Sequence, residues 1–148
     1  MTRLVIDASV AVKWVVTEEG TADAVSLLSA GQLAAPDLLM AECADILWQK
    51  VARSELDPDE AVLAARLLQQ ADIELYPMRS LLEPAAQIAI DLNHPAYDCI
   101  YLALAMTNGW RLVTTDARLI SKAREAISRA DDLLLSLEEA AAGIGKRH

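Results

Sequence analysis

Leu4-Val5-Ile6-Asp7-Ala8-Ser9-Val10 opens the chain with three aliphatic residues, an acid, and a run that passes at once into further apolar positions. An apolar triplet that stops on an acid and leads into helix-spaced residues reads as a buried strand feeding a helix, the first half of a βαβ unit. Arg111 to Thr114 repeats the arrangement near the other end of the chain, as a strand that stops just before Asp116, with a helix expected over Ala117 to Ile127. In an open parallel sheet, ligands gather in the crevice at the carboxyl ends of the strands, so Asp7 and Asp116 are aimed at one edge.

Between these two points, short apolar runs alternate with longer helix-spaced segments, the pattern of an α/β domain with a mostly parallel central sheet. In the first helix Ser9 is the expected cap, with Val10, Val12, Trp14 and Val15 supplying apolar surface. A helix over Thr21 to Ala30 is closed by Gly31, and Leu33 to Pro36 is extended. Leu38 to Val51 fits a mostly buried helix that carries Glu42. Asp57-Pro58 starts another, whose packing face is expected at Val62, Leu63, Leu67 and Leu68. A strand follows at Ile73 to Tyr76, then a helix from Leu82 to Leu92. A helix from Pro95 to Thr107 turns Ile100, Leu102, Ala103, Leu104 and Met106 inward, and Asn108-Gly109 ends it. Leu133 to Leu135 is a last strand at an edge, and Ser136 starts the final helix. The domain is expected over residues 1–142, with 143–148 as a frayed tail ending in Lys146-Arg147-His148.

Two more acids sit where a carboxylate is costly. Glu42 is followed by Cys43 and preceded by Ala41, and Asp98, in the first turn of its helix, is followed by Cys99 and Ile100. A buried carboxylate must be paired, hydrogen-bonded or metal-bound. No Lys or Arg lies within three residues of either acid, whereas Arg111 and Arg118 flank Asp116 and are available to pair with it. Oxygen donors with no His or Cys ligand nearby suit Mg²⁺ or Mn²⁺. Asp7, Glu42, Asp98 and Asp116 are therefore the candidate metal ligands and catalytic residues, with the Ser9 and Thr114 hydroxyls as supports. Taken singly, each aspartate also fits a plain helix-start role. Glu42 fits it least, because an interior glutamate caps nothing.

The 148 residues carry 13 Lys+Arg against 22 Asp+Glu, a net charge of −9, with 54% apolar residues. A chain of this length buries roughly 70% of its unfolded surface around a single core. No apolar run approaches a bilayer span and no signal-peptide layout opens the chain, so a cytoplasmic protein is expected. The acidic balance argues against an all-over grip on duplex nucleic acid but leaves room for a local basic rim around an acidic centre. Cys43 and Cys99 are too few and too far apart for a disulfide framework and read as small buried hydrophobes. No Gly-rich phosphate loop is present. A receiver module would need an acidic pair at the first strand, and a haloacid-dehalogenase-type phosphatase a second aspartate where Ser9 stands.

Taken together, Leu4 to Val10, Ala35-Pro36-Asp37-Leu38-Leu39 running into Glu42, Tyr97-Asp98-Cys99-Ile100-Tyr101-Leu102-Ala103-Leu104-Ala105 and Val113-Thr114-Thr115-Asp116 resemble the PIN-domain ribonucleases, in particular VapC-type toxins of toxin-antitoxin pairs. The resemblance spans almost the whole chain. It implies a three-layer α/β/α fold and a Mg²⁺- or Mn²⁺-dependent endoribonuclease with its site at Asp7, Glu42, Asp98 and Asp116. It also implies a homodimer and a VapB-type antitoxin that covers the site with a basic C-terminal segment. The alternative is a PIN-like module that binds RNA or protein without cutting. Lys13, Arg118 and Lys122 are the candidate RNA contacts, the last two sharing a helix face at four-residue spacing. Trp14, Trp48 and Trp110 read as packing residues rather than base-stacking platforms. His94, in a loop before Pro95, and the terminal His148 are given no metal or general-base role.

Overall fold

Five strands of three or four residues form one all-parallel sheet in the order β3-β2-β1-β4-β5 in the computed structural model, which describes residues 3–145. They are β1 (Leu4–Ile6), β2 (Leu33–Pro36), β3 (Glu74–Tyr76), β4 (Arg111–Thr114) and β5 (Leu134–Ser136). Parallel neighbours cannot be joined by a tight hairpin and need long crossovers. Helices supply them: α1 (Ala8–Ala11) and α2 (Thr21–Leu28), α3 (Leu38–Ala52) and α4 (Pro58–Gln69), α5 (Leu82–Leu92) and α6 (Ala96–Asn108), then α7 (Ala117–Ala126) and, after β5, α8 (Leu137–Gly145). The helices form the outer layers of an α/β/α sandwich. Helix α6 lies against β4, β1 and β2 with α5 beside it, while α8 packs on β5 and β4 with α2 beside it.

Covered on both faces, the central strands are continuously apolar rather than alternating. Val5, Ile6, Ala34, Ala35, Leu112 and Val113 are all buried, as are Cys43 and Cys99. Both cysteines are free thiols. Among the described residues no helix is long and apolar enough to cross a membrane.

Three expectations about packing need correction. The face expected on α4 is turned outward: Val62, Leu63 and Leu67 are 53%, 55% and 48% exposed. Helix α4 has α3 as its main neighbour and meets the core through Ala64 and Leu68, one turn apart, where the small alanine lets the helices approach. In α6 the buried set is the unbroken run Tyr101 to Ala105 together with Cys99, because several elements enclose this helix, whereas Met106 in its last turn is exposed. Helix α8 runs through Gly145, three residues into the stretch expected to fray, and 146–148 lie outside the described residues.

Candidate active site

The pairing of β1 with β4 puts Leu4 beside Arg111 and Ile6 beside Val113, so Asp7 and Thr114 are level, one step further on. Asp7 is also the N-cap of α1: its Oδ1 accepts from the Val10 amide at 3.2 Å and from the Ser9 hydroxyl at 2.6 Å. The cap is thus Asp7 rather than Ser9, since a hydroxyl inside the first turn is placed to donate to the capping carboxylate. The buried Thr114 hydroxyl donates to Asp7 Oδ2, and Thr115 Oγ1 donates to Ser9 Oγ at 2.8 Å. Both expected supports therefore hold Asp7. Desolvation pushes the Asp7 carboxyl up to about 6, against the opposing hydrogen bonds from Ser9, Thr114 and Val10.

Asp116 caps α7, its Oδ1 accepting from the amides of Arg118 and Leu119 at 3.0 and 3.2 Å. Neither flanking arginine pairs with it. Arg111 reaches Asp132 instead, and the Arg118 side chain is exposed. The partner of Asp116 is His94, whose Nε2 lies 3.5 Å from Asp116 Oδ2 and 2.7 Å from Asp98 Oδ2. His94, Asp98 and Asp116 each offer a ligand atom within 4.8 Å of the others. Burial raises the Asp98 carboxyl, the His94 bond lowers it, and the neighbouring Asp116 raises it again.

His94, given no metal or general-base role from the sequence, stands against two of the acids. Asn93 ends α5 in the left-handed conformation, φ 50°, and the reversal turns His94 into the protein, where it is buried. One signal was present in the sequence: a histidine four residues before an acid reaches it across a helix start as it would within a helix.

Glu42 projects from the second turn of α3 toward the same cavity, which measures about 520 Å³ and is lined by Asp7, Ser9, Glu42, Asp98, Thr115 and Asp116. Ala41, expected in the core, is exposed there. Burial raises the Glu42 carboxyl, the nearby Tyr101 hydroxyl opposes that rise, and the charges of Asp98 and Asp7 raise it further. The Tyr101 hydroxyl, near Glu42, is buried without a hydrogen-bond partner among the described residues. Four carboxylates from four elements therefore share one cavity, and among the described residues none has a Lys or Arg partner. A cluster of oxygen donors without a cationic Lys or Arg partner, beside a buried hydroxyl, fits a hard divalent cation.

Of the three expected RNA contacts, only Arg118 has an exposed side chain without a hydrogen-bond or ion-pair partner among the described residues. Lys13 Nζ donates to the Glu19 carbonyl at 2.7 Å and to Glu18 at 3.2 Å, and it lines a neighbouring cavity. Lys122 Nζ donates to the Asn93 carbonyl at 2.8 Å and approaches His94 Nδ1 at 3.4 Å. Trp14 donates to the Ala24 carbonyl and Trp110 packs against Tyr76, while Trp48 is exposed.

The PIN domain family model matches residues 4–136. Ribonuclease VapC3 of Pyrobaculum aerophilum is 31% identical over 126 residues, covering 81% of this chain and 94% of that protein. Ribonuclease VapC9 of Mycobacterium tuberculosis is 31% identical over 116 residues, covering 78% and 87%. The crystal structure of PAE2754 from Pyrobaculum aerophilum superposes with a TM-score of 0.74 at 19% identity, covering 98% of each chain, a likeness of fold.

Proposed function

Since this chain belongs to the PIN-domain family, we propose that it is a VapC-type toxin, an endoribonuclease that hydrolyses RNA phosphodiester bonds with Mg²⁺ or Mn²⁺ held by Asp7, Glu42, Asp98 and Asp116. The observation that carries this reading is the meeting of those four acids in one cavity with no Lys or Arg partner among the described residues. The ribonuclease names of relatives that cover most of the chain support it.

The chemistry supplied by an ion so held is Lewis-acid activation of water and of the scissile phosphate. The chain's own contribution is orientation. Ser9 and Thr114 fix both oxygens of Asp7, and the Asp116 backbone is pinned by its amide bond to Thr114 Oγ1 at 3.0 Å. Arg118, exposed two residues after Asp116, would attract an RNA phosphate by charge. No side-chain nucleophile is required. A VapB-type antitoxin with a basic segment would complement the acidic cavity and block RNA entry. The proposal includes a homodimer in the cytoplasm, for which the exposed Trp48, Val62, Leu63 and Leu67 supply apolar area.

The test is cleavage of total cellular RNA by the purified protein with Mg²⁺, Mn²⁺ or chelator, beside Asp98→Asn. Cleavage is expected only with metal and only in the wild type, with the variant melting no lower than wild type in chelator because like-charge repulsion is removed. A folded, antitoxin-free wild type that leaves every RNA intact would favour a module that binds without cutting.

A further inference from the structure

His94 is a buried side chain whose Nε2 lies against the carboxylates of two of the four acids, and its other nitrogen is also engaged. A lysine ammonium can only donate. With Lys122 Nζ 3.4 Å from Nδ1 and anchored at 2.8 Å on the Asn93 carbonyl, Nδ1 must be the acceptor. The imidazole proton therefore sits on Nε2, where it is directed at Asp98 Oδ2 at 2.7 Å, with Asp116 Oδ2 close by at 3.5 Å. A nitrogen carrying its proton has no lone pair to give a metal. Although close enough to be a ligand, His94 is oriented as a donor to ligands.

We propose that His94, set in its Nε2–H tautomer by Lys122, is a positioning residue that holds Asp98 and Asp116 at the spacing a divalent ion requires. This inference rests on the nuclease reading and deepens it. Two carboxylates in one desolvated cavity repel each other, and a shared N–H between them offsets that repulsion before an ion arrives. The same bond commits Asp98 Oδ2 and leaves the second oxygen of Asp98 as the ligand atom. Partners of this kind commonly contribute roughly 10- to 100-fold in metal affinity. The side chain is 4% exposed, so solvent water does not compete for the bond. Lys122, read from the sequence as an RNA contact, acts here through His94.

Calorimetric titration of the full chain with MnCl₂ and with MgCl₂, without RNA, tests the assignment on wild type, His94→Leu, His94→Gln and Lys122→Met. His94→Leu is expected to weaken binding roughly 10- to 100-fold, and His94→Gln, which keeps an N–H donor, to recover part of the loss. Should His94→Leu fail to fold, as judged by its melt in chelator, Lys122→Met carries the test and is expected to weaken binding several-fold. Imidazole ¹⁵N spectra of the wild type are expected to keep the Nε2–H signal when Mg²⁺ is added. Wild-type affinity in a folded His94→Leu, or in Lys122→Met if the leucine variant does not fold, overturns the proposal. So does loss of Nε2–H on adding Mg²⁺, which would make His94 a ligand. A wild type that binds neither ion overturns the nuclease reading itself, and this inference with it.

Discussion

Asp7 performs two tasks with one carboxylate. It caps α1, and it faces the cavity with both oxygens already bonded. Its carboxyl titrates near 6 in the folded chain against 3.8 as its ordinary value, so the folded state holds the proton more tightly than the unfolded one. The stability this contributes is fully present below about pH 4 and is lost as pH rises through about 6, some 3 kcal/mol at 1.36 kcal/mol per unit. Glu42 and Asp98, also raised by burial, act in the same direction, whereas Glu18 acts against it, its burial outweighed by Lys50 and Lys13. The melting temperature in chelator is expected to fall between pH 5 and pH 7.5, and Asp7→Asn to flatten that fall; an unchanged slope in the variant would place the titration elsewhere. At this scale the acids were legible in the sequence because each sits at a strand end or among apolar neighbours. His94 was less so, because its contact with Asp98 depends on a left-handed reversal at Asn93, which asparagine tolerates but which the sequence does not require.

At the scale of elements, α5 and α6 both end in the left-handed region, at Asn93 and Gly109. The Gly109 φ is 69°, and a Cβ there would meet nothing within 4 Å. Gly109→Ala should therefore cost only the conformational penalty, about 1 kcal/mol, and Gly109→Asn less. Urea denaturation of the two variants separates these outcomes, and an alanine cost of several kcal/mol would mean a steric clash. Element boundaries could be read closely where the chain carries such signals: Asp57-Pro58 starts α4, with Glu60 accepting from the Asp57 amide, and Ser136 starts α8 through reciprocal bonds with Glu139. Which face α4 buries could not. Periodicity marks an apolar stripe, but α4 packs through Ala64 and Leu68 and leaves the larger residues of that stripe outside.

For the molecule as a whole, the sheet class followed from strand-helix alternation, but the strand order did not, because the choice of neighbour depends on how helices pack across the sheet. The proposed metal site would make stability responsive to metal. An ion at 100 times its dissociation constant adds about 2.7 kcal/mol, which for a chain of this size raises the melting temperature by roughly 5–10 °C. Mg²⁺ or Mn²⁺ should produce such a rise in wild type and little in Asp98→Asn, by scanning calorimetry; equal rises in both would detach metal binding from Asp98. The adjacency of β1 and β4 also bears on how the protein is born. Thr114 bonds Asp7 across 107 residues of sequence, and at 5–20 residues per second a ribosome needs roughly 5–20 s to span that distance. Until β4 has emerged, the nascent chain has the first acid without the last. On the proposed nuclease reading, the chain passes most of its synthesis with an incomplete site, and a translation product cut short before β4 lacks the last of the four acids.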